Sequence, residues 1–202
     1  MALRTTIVAA AVGVMISAVS ALAQSGAPPR YKLAVGQELQ YEGKSDFKYE
    51  GGGFRGENAW TAWVVRANDD GSSRVVAQST SKFAQVLNGK EMGGHDDVTL
   101  MYFDLFPDGR IVRNDSIGFR GDPSTVFPRL PDGAADREWK TQEDDRTTRY
   151  AALPERSTPK EFVFRAEAHG PEDPIYLMTN ASTIHFDLER GIVSADEAEQ
   201  SP

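Results

Sequence analysis

A chain of 202 residues with 30 Asp and Glu against 22 Lys and Arg, and no Cys, already excludes several kinds of partner. The acidic balance argues against nucleic acid and against anionic lipid surfaces, both of which need a basic footprint. The lack of Cys excludes disulfides, thiolate metal sites, Cys-x-x-Cys redox chemistry and a lipid-modified cysteine at a cleavage point.

The first residues read as a secretory leader. Arg4 gives a positive start, Ile7 to Val19 is an apolar run broken only by Ser17, and Ala21-Leu22-Ala23 offers small residues where a signal peptidase reads. This order predicts cleavage after Ala23, with Gln24 as the mature terminus of an exported, periplasmic or extracellular protein. The run falls short of the roughly 20 residues a spanning helix needs, and no later segment is apolar enough, so no stable membrane insertion is expected after cleavage. The roughly 180 residues that remain suffice for one domain. Residues 1–23 are thus the signal peptide, 24–30 a linker, 31–194 a single β-rich domain and 195–202 a frayed acidic tail.

From Gln37 to Glu50 the chain alternates with period two. Leu39, Tyr41, Phe47 and Tyr49 fall on one face and Gln40, Glu42, Lys44, Asp46 and Lys48 on the other, which is a long half-buried strand. Gly43 in its middle suggests a bend. Gly51 to Gly56 interrupts the pattern as a loop, and Asn58 to Ala67 resumes it. Asn68-Asp69-Asp70-Gly71 turns the chain into Ser73 to Phe83, and Asn88-Gly89 marks a second hairpin. Asp97 to Leu105 is another strand, and Phe106-Pro107-Asp108-Gly109 turns it into Arg110 to Arg113. Asp122-Pro123 has the marks of a helix start, limited to about one turn by Pro128 and Pro131. Strand signals return at Glu138 to Thr141, Arg146 to Ala152, Lys160 to Ala168, Ile175 to Thr179 and Ser182 to Leu188. Glu189-Arg190-Gly191 then turns into Ile192 to Ser194. Nine or ten short strands with one short helix near 123–127 predict a mainly β fold: an antiparallel curved sheet, half-barrel or sandwich.

Catalytic and cofactor motifs are weak. Gly51-Gly52-Gly53-Phe54-Arg55-Gly56 matches G-x-G-x-x-G, but a strand rather than a helix follows, and no carboxylate stands near Val75 and Val76 to hold a ribose. It reads as a hairpin loop, so no cofactor is expected. Gly93-Gly94-His95-Asp96-Asp97 gathers metal-ligand types, yet neighbours on an extended chain point to opposite sides, so it reads as a polar loop and no metal site is assigned. The Asp-Gly pairs at Asp70, Asp108 and Asp132 fit turn geometry. There is no G-x-S-x-G nucleophile, and no catalytic residue is assigned. His185 shares a strand face with Asp187, which keeps a hydrolase with His95 or His185 as base as an alternative; a purely structural envelope protein is a third. The aromatic residues are more telling. Tyr41, Phe47, Trp60, Tyr102 and Phe164 lie on strands and would line an apolar pocket if the sheet forms an open cup. The expected function is a non-catalytic exported binding or accessory domain, taking an apolar small molecule in the cup or a protein partner at an open sheet edge.

Three stretches carry a resemblance. Tyr31-Lys32-Leu33 leads into Val35-Gly36-Gln37-Glu38-Leu39-Gln40-Tyr41; Trp63-Val64-Val65 leads into Asn68 to Arg74; and Phe186-Asp187-Leu188-Glu189-Arg190-Gly191 closes the pattern. Together they resemble exported bacterial β-domains of the lipoprotein-localisation-factor-like kind. They are also similar to N-terminal accessory domains of exported thioredoxin-like proteins. The resemblance implies a curved antiparallel half-barrel that binds acyl chains or partner proteins, without a redox module in this chain. Only three strand-like residues follow Gly191 before the acidic tail, so a sheet edge is expected to be left for a partner strand.

Overall fold

The structure is a computed structural model, and it describes residues 27–49, 52–88, 90–113, 123–143, 146–169 and 180–199. Among the described residues, ten strands form two antiparallel sheets. The first sheet is a meander of β1 (Glu38–Tyr49), β2 (Gly52–Ala67), β3 (Ser73–Leu87), β4 (Lys90–Leu105) and β5 (Ile111–Arg113), in that order. The second contains β6 (Glu138–Glu143), β7 (Arg146–Ala152), β8 (Glu161–His169), β9 (Asn180–Asp187) and β10 (Ile192–Glu199), again neighbour to neighbour. The sheets do not close into a barrel, and the only helix among the described residues is one 3-10 turn at Pro123–Thr125.

The expected corners are in place. Gly71, Gly109 and Gly191 have φ of 82°, 83° and 65°, and Asn88 has φ of 50°. Several strands run longer than the sequence pattern suggests, three of them through stretches expected as loop or frayed tail. Gly52 to Gly56, expected in a loop, pairs with β1 and β3. Gly93 to Asp97 lies inside β4, where a register shift between Gly94, paired with Ala84, and Glu91, paired with Val86, absorbs Met92 and Gly93. Ala195 to Glu199, expected to fray, pairs with β9 from His185 to Ala181. In each case a neighbouring strand supplies the backbone partners that local composition does not announce. The strand expected at Ile175 to Thr179 lies outside the described residues.

One buried cluster draws on both sheets. Leu39, Trp60, Ala62, Val75, Ala77, Met101, Phe103 and Leu105 face Tyr150, Phe162, Phe164, Ile184, Phe186 and Val193. Phe127, from the connection between the sheets, is fully buried and meets Tyr31, Tyr41 and Phe103 with ring centroids 5.9, 5.9 and 5.7 Å away. Only part of the first sheet is covered. The row Gly43, Asn58, Ser81 and Asp97 begins a small and polar stretch, and beyond it Phe83 stays 40% exposed. With strands of 16 residues, each spanning about 50 Å, the first sheet overhangs the shorter second one.

The N-terminal segment ties the other end together. Tyr31 N–H donates to Pro107 O at 2.7 Å and Lys32 N–H to Gly191 O at 3.1 Å, so one dipeptide bonds to a turn of each sheet. The Tyr31 ring meets Phe186 edge-on at 5.2 Å, and its hydroxyl donates to Pro128 O at 3.1 Å. Gly191 is required here twice: a Cβ on it would stand 2.6 Å from Lys32 N, and its φ is left-handed.

Candidate functional site

The two meanders leave β5 and β6 as edge strands, and the connection carrying Phe127 and Leu130 joins them. Between these edges lies a cleft of about 420 Å3. Ile111, Leu130, Trp139 and Tyr150 give it apolar walls, and Arg110, Asp132 and Gln142 contribute polar groups. Trp139 and Tyr150 are direct partners across β6 and β7, and their rings stack at 5.3 Å with planes 7° apart. Tyr150 is buried, while Trp139 is only half-buried and lines the cleft.

The cleft wall is fixed by polar contacts. Trp139 Nε1–H donates to Arg129 O at 2.9 Å, Leu130 N–H to Asp108 O at 2.8 Å, and Arg30 reaches Pro131 O at 2.7 Å and Asp132 O at 2.8 Å. The Arg129 guanidinium pairs with Asp108 at 3.0 Å and Asp132 at 3.2 Å. An indole held by its N–H and by a stacked phenol offers one rigid apolar face at little entropic cost.

The opposite face of β6, β7 and β8 carries a second hollow of about 610 Å3. Its floor is small Ala151, with Lys140, Arg149 and Arg165 around it and Glu138 and Glu167 beside them. Arg165 pairs with Glu167 at 3.0 Å. Lys140 stands directly opposite Arg149 across β6 and β7, and Glu167 stands opposite Arg149 across β7 and β8, so both signs of charge share this face. Among the described residues no carboxylate forms an ion pair with Lys140 or Arg149.

The residues singled out from sequence separate into groups. Tyr41 and Trp60 are cross-strand partners, and with Phe164 of the second sheet they pack in or against the core cluster. Tyr102 faces the other side of β4, paired with Val76 and lying 5.8 Å under the Arg74 guanidinium. The side chains of Phe47 and His95 lie outside the described residues. His185 has Glu161 at 3.3 Å from Nδ1 and Glu197 at 3.7 Å from Nε2. Asp187 instead accepts the Glu189 and Arg190 N–H groups of the following turn, and Ser194 Oγ donates to the His185 backbone carbonyl. Asp70 and Asp108 are likewise engaged by the N–H groups of Ser72 and Arg110. Trp139 and Tyr150 were not among the expected ligand residues. Their signal was the alternation Glu-Trp-Lys-Thr on one side of Asp144-Asp145 and Arg-Tyr-Ala on the other; the pairing of β6 with β7 sets the two rings side by side. Comparison with protein-family models, with curated proteins and with solved structures finds no match for this chain.

Proposed function

We propose that the chain is an exported, non-catalytic binding domain that receives an apolar part of its ligand in the cleft between the β5 and β6 edges, against the Trp139 indole. The observation that carries this reading is the half-buried, hydrogen-bonded Trp139 at the mouth of an opening flanked by two strands that are sheet edges among the described residues. Export is supported by the leader-like order of Arg4, the Ile7 to Val19 run and Ala21-Leu22-Ala23. A concave, partly apolar opening with a few fixed polar groups is the usual form of a small-ligand site.

Indole fluorescence tests it, because the chain has only three Trp. Titration with an anilinonaphthalene sulfonate or a medium-chain fatty acid should change the emission of the wild type and of Trp60→Phe, and the change should be lost in Trp139→Phe. An unaltered response in Trp139→Phe rejects the cleft. Native mass spectrometry of protein purified from its own compartment gives an independent check through a retained small molecule.

A further inference from the structure

The hydrogen-bond phase of β5 and β6 decides what the two walls of the cleft offer. Ala152 N–H donates to Arg137 O at 2.8 Å, in register with the Glu138 to Glu143 pairing. Antiparallel pairs alternate, so Trp139 and Thr141 direct their backbone groups to β7, and Lys140 and Gln142 direct theirs to the open side. On the other wall, Phe106 N–H donates to Arg110 O at 2.9 Å, in register with the pairing of β4 and β5. The same alternation turns the N–H and C=O of Ile111 away from β4. Ile111, Lys140 and Gln142 all line the cleft, so uncharged main-chain donors and acceptors meet it from both sides.

The charged side chains around the cleft are committed elsewhere. Arg129 pairs with Asp108 and Asp132. The Arg110 guanidinium lies 3.5 Å over the Phe106 ring, and Asp136 accepts the Gly133 N–H at 2.7 Å. Strand alternation puts the Lys140 side chain on the opposite face of β6 from Trp139. An ion entering the cleft would therefore lose water without gaining an opposite charge. What the cleft offers is an indole, the Thr141 hydroxyl on the same strand face, and main-chain groups of both polarities. We propose that it binds a neutral saccharide, with one sugar ring resting on the Trp139 indole. The proposal rests on the cleft reading above and adds the chemistry of the ligand. A pyranose with equatorial hydroxyls joins the two properties required. Its axial C–H groups make an apolar face with slight positive charge, which suits the negative face of an aromatic ring. Each hydroxyl on its rim both donates and accepts, and so can satisfy N–H and C=O groups alike. The volume of about 420 Å3 lies within the roughly 300–1,000 Å3 usual for small-ligand sites. An extended peptide is the competing neutral occupant, but β5 is only three residues long and gives a strand little to pair with.

The probes are cellotriose and N-acetylated chitotriose, with trigalacturonate and free-amine chitotriose as charged counterparts. Isothermal titration calorimetry gives affinity, and hydrogen exchange reads the amides of Ile111, Lys140 and Gln142. At least one neutral trisaccharide is expected to bind, roughly tenfold or more tighter than either charged one. Magnetisation transferred from the indole protons should reach the C–H groups of one sugar ring most strongly, and the three amides should gain protection at saturation. Trp139→Ala should weaken binding roughly tenfold or more and Thr141→Val roughly threefold, with circular dichroism confirming an intact fold. Binding unaltered in Trp139→Ala, or amides unprotected at saturation, overturns the proposal. So does tighter binding of a charged trisaccharide, or of a capped heptapeptide of alternating Ser and Val. If neither neutral trisaccharide binds while the apolar probe still reports through Trp139, only this inference falls; if both fail, the cleft reading falls as well.

Discussion

Tyr41 shows how a single atom reports on its surroundings. Its ring packs against Phe127, but its hydroxyl is shielded from solvent and has no hydrogen-bond partner among the described residues. Burial raises its pKa from the ordinary 10 to about 12, against a smaller opposing pull from Arg190. A folded-state pKa above the unfolded one gives stability that is complete below pH 10 and is lost as pH rises towards about 12. Tyr41→Phe removes both the orphan hydroxyl and this titration. Thermal melts should show equal or higher stability at pH 7, with a gain of up to about 1 kcal/mol, and a shallower decline above pH 10. A destabilised variant would mean that the hydroxyl has a partner. Tyr31, also buried and shifted upward, should keep part of the alkaline loss in place.

At the scale of elements, the connection between the sheets contributes to the core although it lies outside the strands. Its described residues hold one 3-10 turn, yet Phe127 and Leu130 are among the most completely buried side chains. Phe127→Ala should cost about 3–5 kcal/mol in urea denaturation, the range for emptying a buried phenylalanine site. A cost below about 1 kcal/mol would place Phe127 outside the core. The alternation of Leu39, Tyr41, Trp60 and Phe103 and the Asp-Gly corners made the mainly β fold and its hairpins legible. So did Asp122-Pro123 for the single helical turn. What local patterning missed was set by neighbours. The glycines of β2 and β4 and the acids of β10 are poor strand formers that pairing holds extended. Phe127 lies in a Pro-rich stretch with no period to betray a core role. The Trp139 and Tyr150 pair was missed because a site at a sheet edge depends on which strands remain unpaired, and that is decided by the order of strands in space.

For the whole molecule, the shared cluster makes the two sheets one cooperative unit. Trp60 and Trp63 belong to the first and Trp139 to the second, so a variant whose only Trp is Trp60 and one whose only Trp is Trp139 should report the same urea midpoint. Two separated midpoints would show that each sheet melts alone. The bond from Lys32 to Gly191 has a consequence for how the chain reaches this state. It is a latch between segments far apart in sequence, and so cannot fasten until Gly191 has left the ribosome. The last fastening of the two sheets therefore comes late in synthesis, after every strand it joins has been made.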